Sequence, residues 1–180
     1  IFKKAKRKTH VVGNIGVAVI SKALETAEED WLITETSSFQ LQTTKYFKPT
    51  VSAILNLTPD HLNRHHTMEE YAEAKKRFFF ELQPELQILN ADDPIGAQWL
   101  SELPNAVAVS CKADFQAHSK RYLNAVSVRF SGEGTQIDFV SNWGNGTLNS
   151  PLIGAFNVTN LLLAMATLLA LGYPLHDLIH

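Results

Sequence analysis

Apolar and polar positions along the chain fall into blocks whose period changes. His10-Val11-Val12-Gly13 reads as a short strand ending in a glycine, and Ile15 to Leu24 has helical spacing. Trp31-Leu32-Ile33-Thr34-Glu35 is an apolar run closed by a carboxylate, the pattern of a buried parallel strand that delivers a polar group at its C-terminal edge. Val51 to Leu57 repeats the design and runs into Thr58-Pro59-Asp60-His61. Leu86 to Leu89, leading into Asn90-Ala91-Asp92-Asp93, is a third such strand, and Ala106 to Ser110 a fourth. Between them lie two amphipathic segments. Met68 to Leu82 has Thr67 as N-cap and Glu70 three residues on, as a capping box requires, and Pro94 opens a helix through Leu100. Strands alternating with helices at this spacing predict an α/β fold, an open and mostly parallel sheet with helices on both faces. Ligands of such sheets sit beyond the carboxyl ends of the strands, where Glu35, His61 and Asp92 fall.

The pattern changes after about residue 120. Tyr122 to Phe130 and Thr135 to Val140 alternate in polarity, and Gly144-Asn145-Gly146 is a hairpin turn before Thr147 to Ile153. These segments predict a small antiparallel sheet over about 121–153, appended to the main one. Asn157 to Leu171 predicts a long buried helix with Asn157 as its N-cap, stopped by Gly172 and Pro174.

Composition narrows the function classes. At 180 residues, 45% hydrophobic and 19% charged, the chain has the content of one globular domain. The net charge is −2, but Lys3, Lys4, Lys6, Arg7 and Lys8 hold five of the sixteen cations, so the body sets eleven cations against eighteen anions. That sign argues against nucleic acid as a partner. The basic stretch reads as the exposed end of a helix. It lacks the apolar stretch of a signal peptide, and a chain that starts at Ile reads as beginning inside something larger. The longest apolar run, Leu161 to Leu171, is eleven residues broken by Thr167, against about 20 needed to span a bilayer, so no membrane association is expected. Cys111 is the one cysteine and has no intrachain disulfide partner.

Several residues could carry chemistry. Asp60, His61, His65 and His66 crowd one strand end, where imidazole and carboxylate could hold a divalent cation or simply form a polar loop. Glu35, with Ser37 and Ser38 after it, would emerge at the same sheet edge, and oxygen donors plus one imidazole suit magnesium held together with substrate phosphates. Spacing alone does not separate Lys75 from Lys76. Gly13-Asn14-Ile15-Gly16 fits a tight turn as well as a phosphate-approaching loop.

The combination is more specific than its parts. Gly13 to Gly16, Glu35-Thr36-Ser37-Ser38-Phe39-Gln40-Leu41, Leu55-Asn56-Leu57-Thr58-Pro59-Asp60-His61-Leu62, Glu73-Ala74-Lys75, Leu89-Asn90-Ala91-Asp92-Asp93 and Phe156-Asn157-Val158-Thr159-Asn160 follow one another in that order. This series resembles the central ATP-binding domain of the Mur ligases, the enzymes that add amino acids to peptidoglycan precursors, and the resemblance covers essentially the whole chain. Residues 1 to about 80 are similar to the D-glutamate-adding ligase. Residues from about 86 to 180 are similar to the diaminopimelate- or lysine-adding ligase. The resemblance therefore implies a chimera joined near Phe79 to Pro84.

It implies further that ATP and magnesium are the cofactors, with a UDP-N-acetylmuramoyl-peptide and an amino acid as substrates. A substrate carboxylate would attack the γ-phosphate, and the acyl phosphate would then be taken by the amino group. Glu35 is expected to ligate the magnesium between the ATP phosphates and His61 a second magnesium, while Lys75 corresponds to a lysine that is carbamylated. Asn14 and Ser37 are expected near the UDP-sugar and its phosphates, and Asn160 near the adenine, with Asn157 and Asp93 as weaker correspondences. The family's glycine-rich phosphate loop has no counterpart, since no Gly-Lys-Thr or Gly-Lys-Ser occurs, so little or no ATP hydrolysis is expected. A non-catalytic scaffold is the alternative. A cytoplasmic bacterial setting is implied. A first parallel strand missing from the sheet would leave exposed strand edges open to self-association.

Overall fold

The computed structural model describes residues 7–179. The helix end expected over residues 1–7 lies almost wholly outside them. Strands β1 (Thr9–Gly13) and β2 (Trp31–Glu35) pair in parallel, with Val11 opposite Ile33 and Gly13 opposite Glu35. The other sheet has six strands in sequence order: β3 (Val51–Ile54), β4 (Leu86–Asn90), β5 (Val107–Ser110), β6 (Arg121–Ser131), β7 (Gly134–Ser141) and β8 (Gly146–Ser150). Pairing is parallel from β3 through β6 and antiparallel from β6 through β8. The α-helices among the described residues are α1 (Val19–Ala23), α2 (Ser38–Thr43), α3 (Leu62–His65), α4 (Met68–Phe80), α5 (Pro94–Glu102) and α6 (Ala155–Ala170), and a short 3-10 turn follows at Leu175–Asp177.

The alternating α/β pattern is confirmed, with two differences in the sheets. The antiparallel strands are not an appended sheet but a continuation of the parallel one. β6 is eleven residues long, long enough for Arg121–Asn124 to pair with β5 while Leu123–Ser131 pairs with β7 across an irregularity at Ala125/Ser127. The second difference is that β1 and β2 form a sheet of their own and neither pairs with β3.

β2 is accordingly not the buried strand that its apolar run predicts. Ile33 is 40% exposed and Val11 opposite it 65%, whereas Val12, pointing the other way, is fully buried. Among the described residues no third strand flanks the pair, and α1 contributes no buried residue. α1 is also shorter than Ile15 to Leu24. Asn14–Val17 instead folds back so that the Gly13 amide donates to the Val17 carbonyl at 2.9 Å, with Gly16 at φ +79°.

The core lies on the two faces of the six-stranded sheet. Adjacent residues of a strand point to opposite sides, so Ile88 joins Val107, Val109, Leu123, Phe139, Leu162 and Met165 beneath α6, while Leu89 joins Ile54, Tyr71, Phe79 and Trp99 beneath α4 and α5. Trp99 packs against Phe79 with ring centroids 5.3 Å apart, tying α5 to the helix that carries Lys75. Gly96 permits this fit: a β-carbon there would stand 2.1 Å from the Asn90 carbonyl oxygen.

Side chains cap α2, α4 and α5, whereas α1, α3 and α6 have no side-chain cap. Thr67 caps α4 by accepting from the Glu70 amide at 3.1 Å, as predicted. Asp93 caps α5. The reciprocal capping box, however, is at Ser37 and Gln40: Gln40 Oε1 accepts from the Ser37 amide at 2.9 Å while Ser37 Oγ accepts from the Gln40 amide at 3.3 Å. Asn157 is not the cap of α6. That helix opens three residues earlier after Gly154, at φ +114°, and the Asn157 side-chain amide donates back to the Ile153 carbonyl at 2.9 Å.

Candidate functional site

The carboxyl ends of β1 and β2 meet at Glu35. The Asn14 amide donates to the Glu35 carbonyl at 2.9 Å, and the Asn14 side-chain amide donates to Glu35 Oε1 at 3.2 Å. The turn between them requires Gly13, because a β-carbon there would stand 2.2 Å from the Glu35 carbonyl oxygen and the residue sits at φ +112°. Asn14 and Glu35 are thus one unit. Ser37 is engaged locally, its hydroxyl donating to Gln40 Oε1 at 3.2 Å, and its sequence neighbour Ser38 is buried.

The loop after β3 brings the second cluster. Its backbone is pinned to the end of β4 twice: Asn90 donates to the Leu55 carbonyl at 2.7 Å, and the Leu57 amide donates to Asp93 Oδ2 at 2.8 Å. Asp93 Oδ1 accepts the Ile95 and Gly96 amides at 3.0 Å each, so this buried carboxylate caps α5 and anchors the loop at once. Beyond that anchor, His61 enters α3 in a left-handed conformation, φ +54°, and its imidazole lies 3.3 Å from Asp60.

Lys75 reaches the same place from α4. Its ammonium stands 5.2 Å from the centre of the Tyr71 ring, one helical turn back. Burial pulls its pKa below the ordinary lysine value, against the opposing fields of Asp60 and Glu35. These fields link the three segments: a carboxylate that ends β2 and a carboxylate after β3 both act on an amine of α4. Burial and the Asp60 charge likewise push the Tyr71 phenol up. Lys76, which spacing could not separate from Lys75, points elsewhere and pairs with Glu102 at 2.8 Å.

The depressed lysine carries a pH signature. The folded chain holds the Lys75 proton less tightly than the unfolded chain does. Its penalty is therefore full below the folded pKa and fades as pH rises toward the ordinary value of 10.5. In bicarbonate-free buffer, Lys75→Met is expected to raise the urea midpoint at pH 7, with a gain that shrinks as pH approaches 10.5. A gain that grows with pH would contradict the assignment of burial as the cause.

The donor set suits magnesium shared with phosphate better than a closed protein cage. Among the described residues no three His, Cys, Asp or Glu side chains are grouped to hold an ion. The Thr36 hydroxyl oxygen, between Glu35 and Ser37, is buried with no hydrogen-bond partner. One or two carboxylates, an imidazole and an unsatisfied hydroxyl are what a largely hydrated cation with phosphate ligands uses.

The remaining predicted residues stand apart. Asn160 is exposed on the first turns of α6, and Asn157 makes the local bond described above. α6 begins beyond β5, where Cys111 Sγ is 3.4 Å from Thr159 Oγ1 and Asp92 accepts from Ser110 Oγ and the Cys111 amide at 2.6 Å each. Among the described residues, no hydrogen bond or ring contact joins Asn157 or Asn160 to Glu35, His61 or Lys75. Sequence reasoning gave no role to Phe39 or Tyr71, took Ser38 as a hydroxyl emerging beside Glu35 at the sheet edge, and took His65 only as one of the histidines crowding the loop. Ser38 Oγ and His65 Nε2 share a buried hydrogen bond of 2.8 Å, and Phe39 stacks on His65 at 5.2 Å. An aromatic one turn before a lysine was the signal available for Tyr71.

Comparison with known proteins agrees with this geometry. A family model described as the Mur ligase middle domain matches residues 1–168. The UDP-N-acetylmuramoyl-L-alanyl-D-glutamate–2,6-diaminopimelate ligase of Haemophilus influenzae (strain PittGG) is 56% identical over 124 residues, which are 69% of this chain and 25% of that protein. The ligase of the same name from Haemophilus ducreyi is 52% identical over the same shares. A solved ligase of that name superposes at a TM-score of 0.75, with 24% identity, over 98% of this chain and 40% of its own. MurF ligase from Thermotoga maritima, solved in complex with ADP, superposes at 0.74 with 18% identity, over 98% of this chain and 42% of its own. The chain thus spans 25% of the length of the curated relatives it matches. The match over residues 1–168, together with a fold shared at these TM-scores, shows that the chain belongs to the Mur ligase middle-domain family.

Proposed function

We propose that these residues form the phosphate- and metal-handling part of an ATP-dependent ligase that adds an amino acid to a UDP-N-acetylmuramoyl-peptide in bacterial cytoplasm, through an acyl phosphate. The convergence of Glu35, Asp60 and Lys75 from three segments carries the reading. Glu35, with Asn14 fixing one oxygen, and His61 would hold magnesium, which when bound neutralises phosphate charge. Thr36 offers a hydroxyl at the same strand end. Lys75, its ammonium disfavoured by burial, exposes more free amine than a surface lysine, and free amine is the form that takes up carbon dioxide. Carbamylation would turn a cation into an anion beside Glu35 and Asp60, a change that favours a divalent cation there. Asn14 and Ser37 are assigned to the UDP-sugar end and Asn160, with Asn157, to the adenine end.

The two-family character, with a join near Phe79 to Pro84, is a further proposal, and separate comparison of residues 1–80 and 86–180 with the two ligase families tests it.

A non-catalytic scaffold is the second reading, favoured by the lack of any Gly-Lys-Thr or Gly-Lys-Ser. Self-association through the edges of β2 and β3 fits either reading. Calorimetric titration of ATP with magnesium into the chain separates the two. Saturable micromolar binding without turnover, weakened at least tenfold by Glu35→Gln, is expected of the ligase reading. No heat would leave the scaffold.

A further inference from the structure

The two halves of the site stand on different sheets. Glu35 ends β2, whereas His61 and Lys75 follow β3, and β2 and β3 are not paired. What sets their separation must therefore be side-chain contact across the gap. α2, which follows β2, is held at its far end by Arg77 of α4: the guanidinium donates to the carbonyls of Leu41 at 2.6 Å, Gln42 at 2.8 Å and Thr44 at 3.2 Å. That anchor is remote from Glu35. At the near end, among the described residues, one buried side-chain hydrogen bond crosses, between Ser38 and His65, whose residues are 2% and 3% exposed.

The placement of this bond matters. Ser38 is the first residue of α2, three after Glu35. His65 is the last residue of α3, the single turn that His61 opens. The His65 ring lies parallel to Phe39 at an interplanar angle of 4°, and its other neighbour is Tyr71, 5.2 Å away at 38°. Tyr71 in turn carries the Lys75 ammonium on its face. Fixing the imidazole therefore fixes α3 relative to α2, and with it the ring on which Lys75 rests.

We infer that Ser38 and His65 form a latch that positions Glu35 against His61 and Lys75, His65 acting as a positioning residue and not as a metal ligand. The inference deepens the ligase reading and rests on it for its purpose, while the latch itself is a property of the fold.

Hydrogen exchange on the full chain tests it. Ser38→Ala and His65→Phe, the second keeping the ring stack but not the bond, are expected to speed exchange of amides in residues 31–40 by about tenfold. Amides of Val107–Ser110 should be unchanged. Ser38→Thr and His65→Gln, which retain a polar partner, should restore most of the protection. Uniform acceleration in both regions, or none at residues 31–40, would overturn the latch, as would failure of both conservative variants to rescue. The ligase reading is read out separately by the carbamate signal of the unsubstituted chain in ¹³C-bicarbonate. With that signal present, Ser38→Ala should lower it several-fold, and an undiminished signal would also count against the latch. With no signal in the unsubstituted chain the ligase reading fails, and the exchange pattern alone decides the latch.

Discussion

Asp93→Ala is expected to cost roughly 2–4 kcal/mol of stability, because one carboxylate performs two tasks. Its Oδ1 accepts the Ile95 and Gly96 amides that open α5, and loss of such a cap costs about 0.5–2 kcal/mol. Its Oδ2 accepts the Leu57 amide, and a buried donor left without a partner costs about 1–3 kcal/mol more. Asparagine is the informative contrast. Whichever way its amide is placed, an NH₂ faces either the helix amides or Leu57, donor against donor, so Asp93→Asn is expected to recover at most about half of the loss. Urea denaturation of the two variants checks both magnitudes. Because the Leu57 bond anchors the segment that carries Asp60 and His61, the same variants should speed amide exchange from Leu57 to His61 more than in β5. An asparagine variant as stable as the parent would show that the carboxylate serves only as a helix cap.

Much of the architecture was legible because it is written in short-range patterns. β3, β4 and β5 are apolar runs between turn residues, Thr67 announces α4, and Gly144-Asn145-Gly146 closes the last hairpin. What failed was whatever depends on partners distant in sequence. The apolar run Trp31–Glu35 is genuine strand, but burial of both faces needs neighbours that its composition cannot guarantee, and among the described residues β1 alone pairs with it. β6 alternates in polarity like an antiparallel strand, and nothing in that alternation discloses that its first residues also pair in parallel with β5. Asn157 has the chemistry of a cap, but Gly154 has the conformation that lets the helix begin sooner.

The site shows the same division. Strand ends placed Glu35 and His61 at one edge, and in the folded chain the charges of Glu35 and of Asp60, the residue before His61, both act on Lys75. Lys75 could not be told from Lys76 by spacing, since both lie on one helix. Burial decides between them, and burial is set by how α4 packs over β3 and β4. His65 was hidden among three neighbouring histidines in the sequence. Only folding shows that His61 is half-exposed beside Asp60 while His65 is enclosed with Ser38.

The central claim is that Glu35, His61 and Lys75 form one site whose lysine is prepared by burial and paired with carboxylates for carbamylation. Its effect is large because the lysine is converted from a cation to an anion, so occupancy changes the charge beside Glu35 and Asp60 by two. Lys76, Lys22 and Lys8 each engage a carboxylate partner, Glu102, Glu25 and Asp30 respectively. The most direct measurement is ¹³C nuclear magnetic resonance of the 180-residue chain in ¹³C-bicarbonate, with and without magnesium. The account predicts one carbamate resonance, strengthened by magnesium and abolished by Lys75→Arg but retained in Lys76→Arg. No resonance, or one that survives Lys75→Arg, would contradict it.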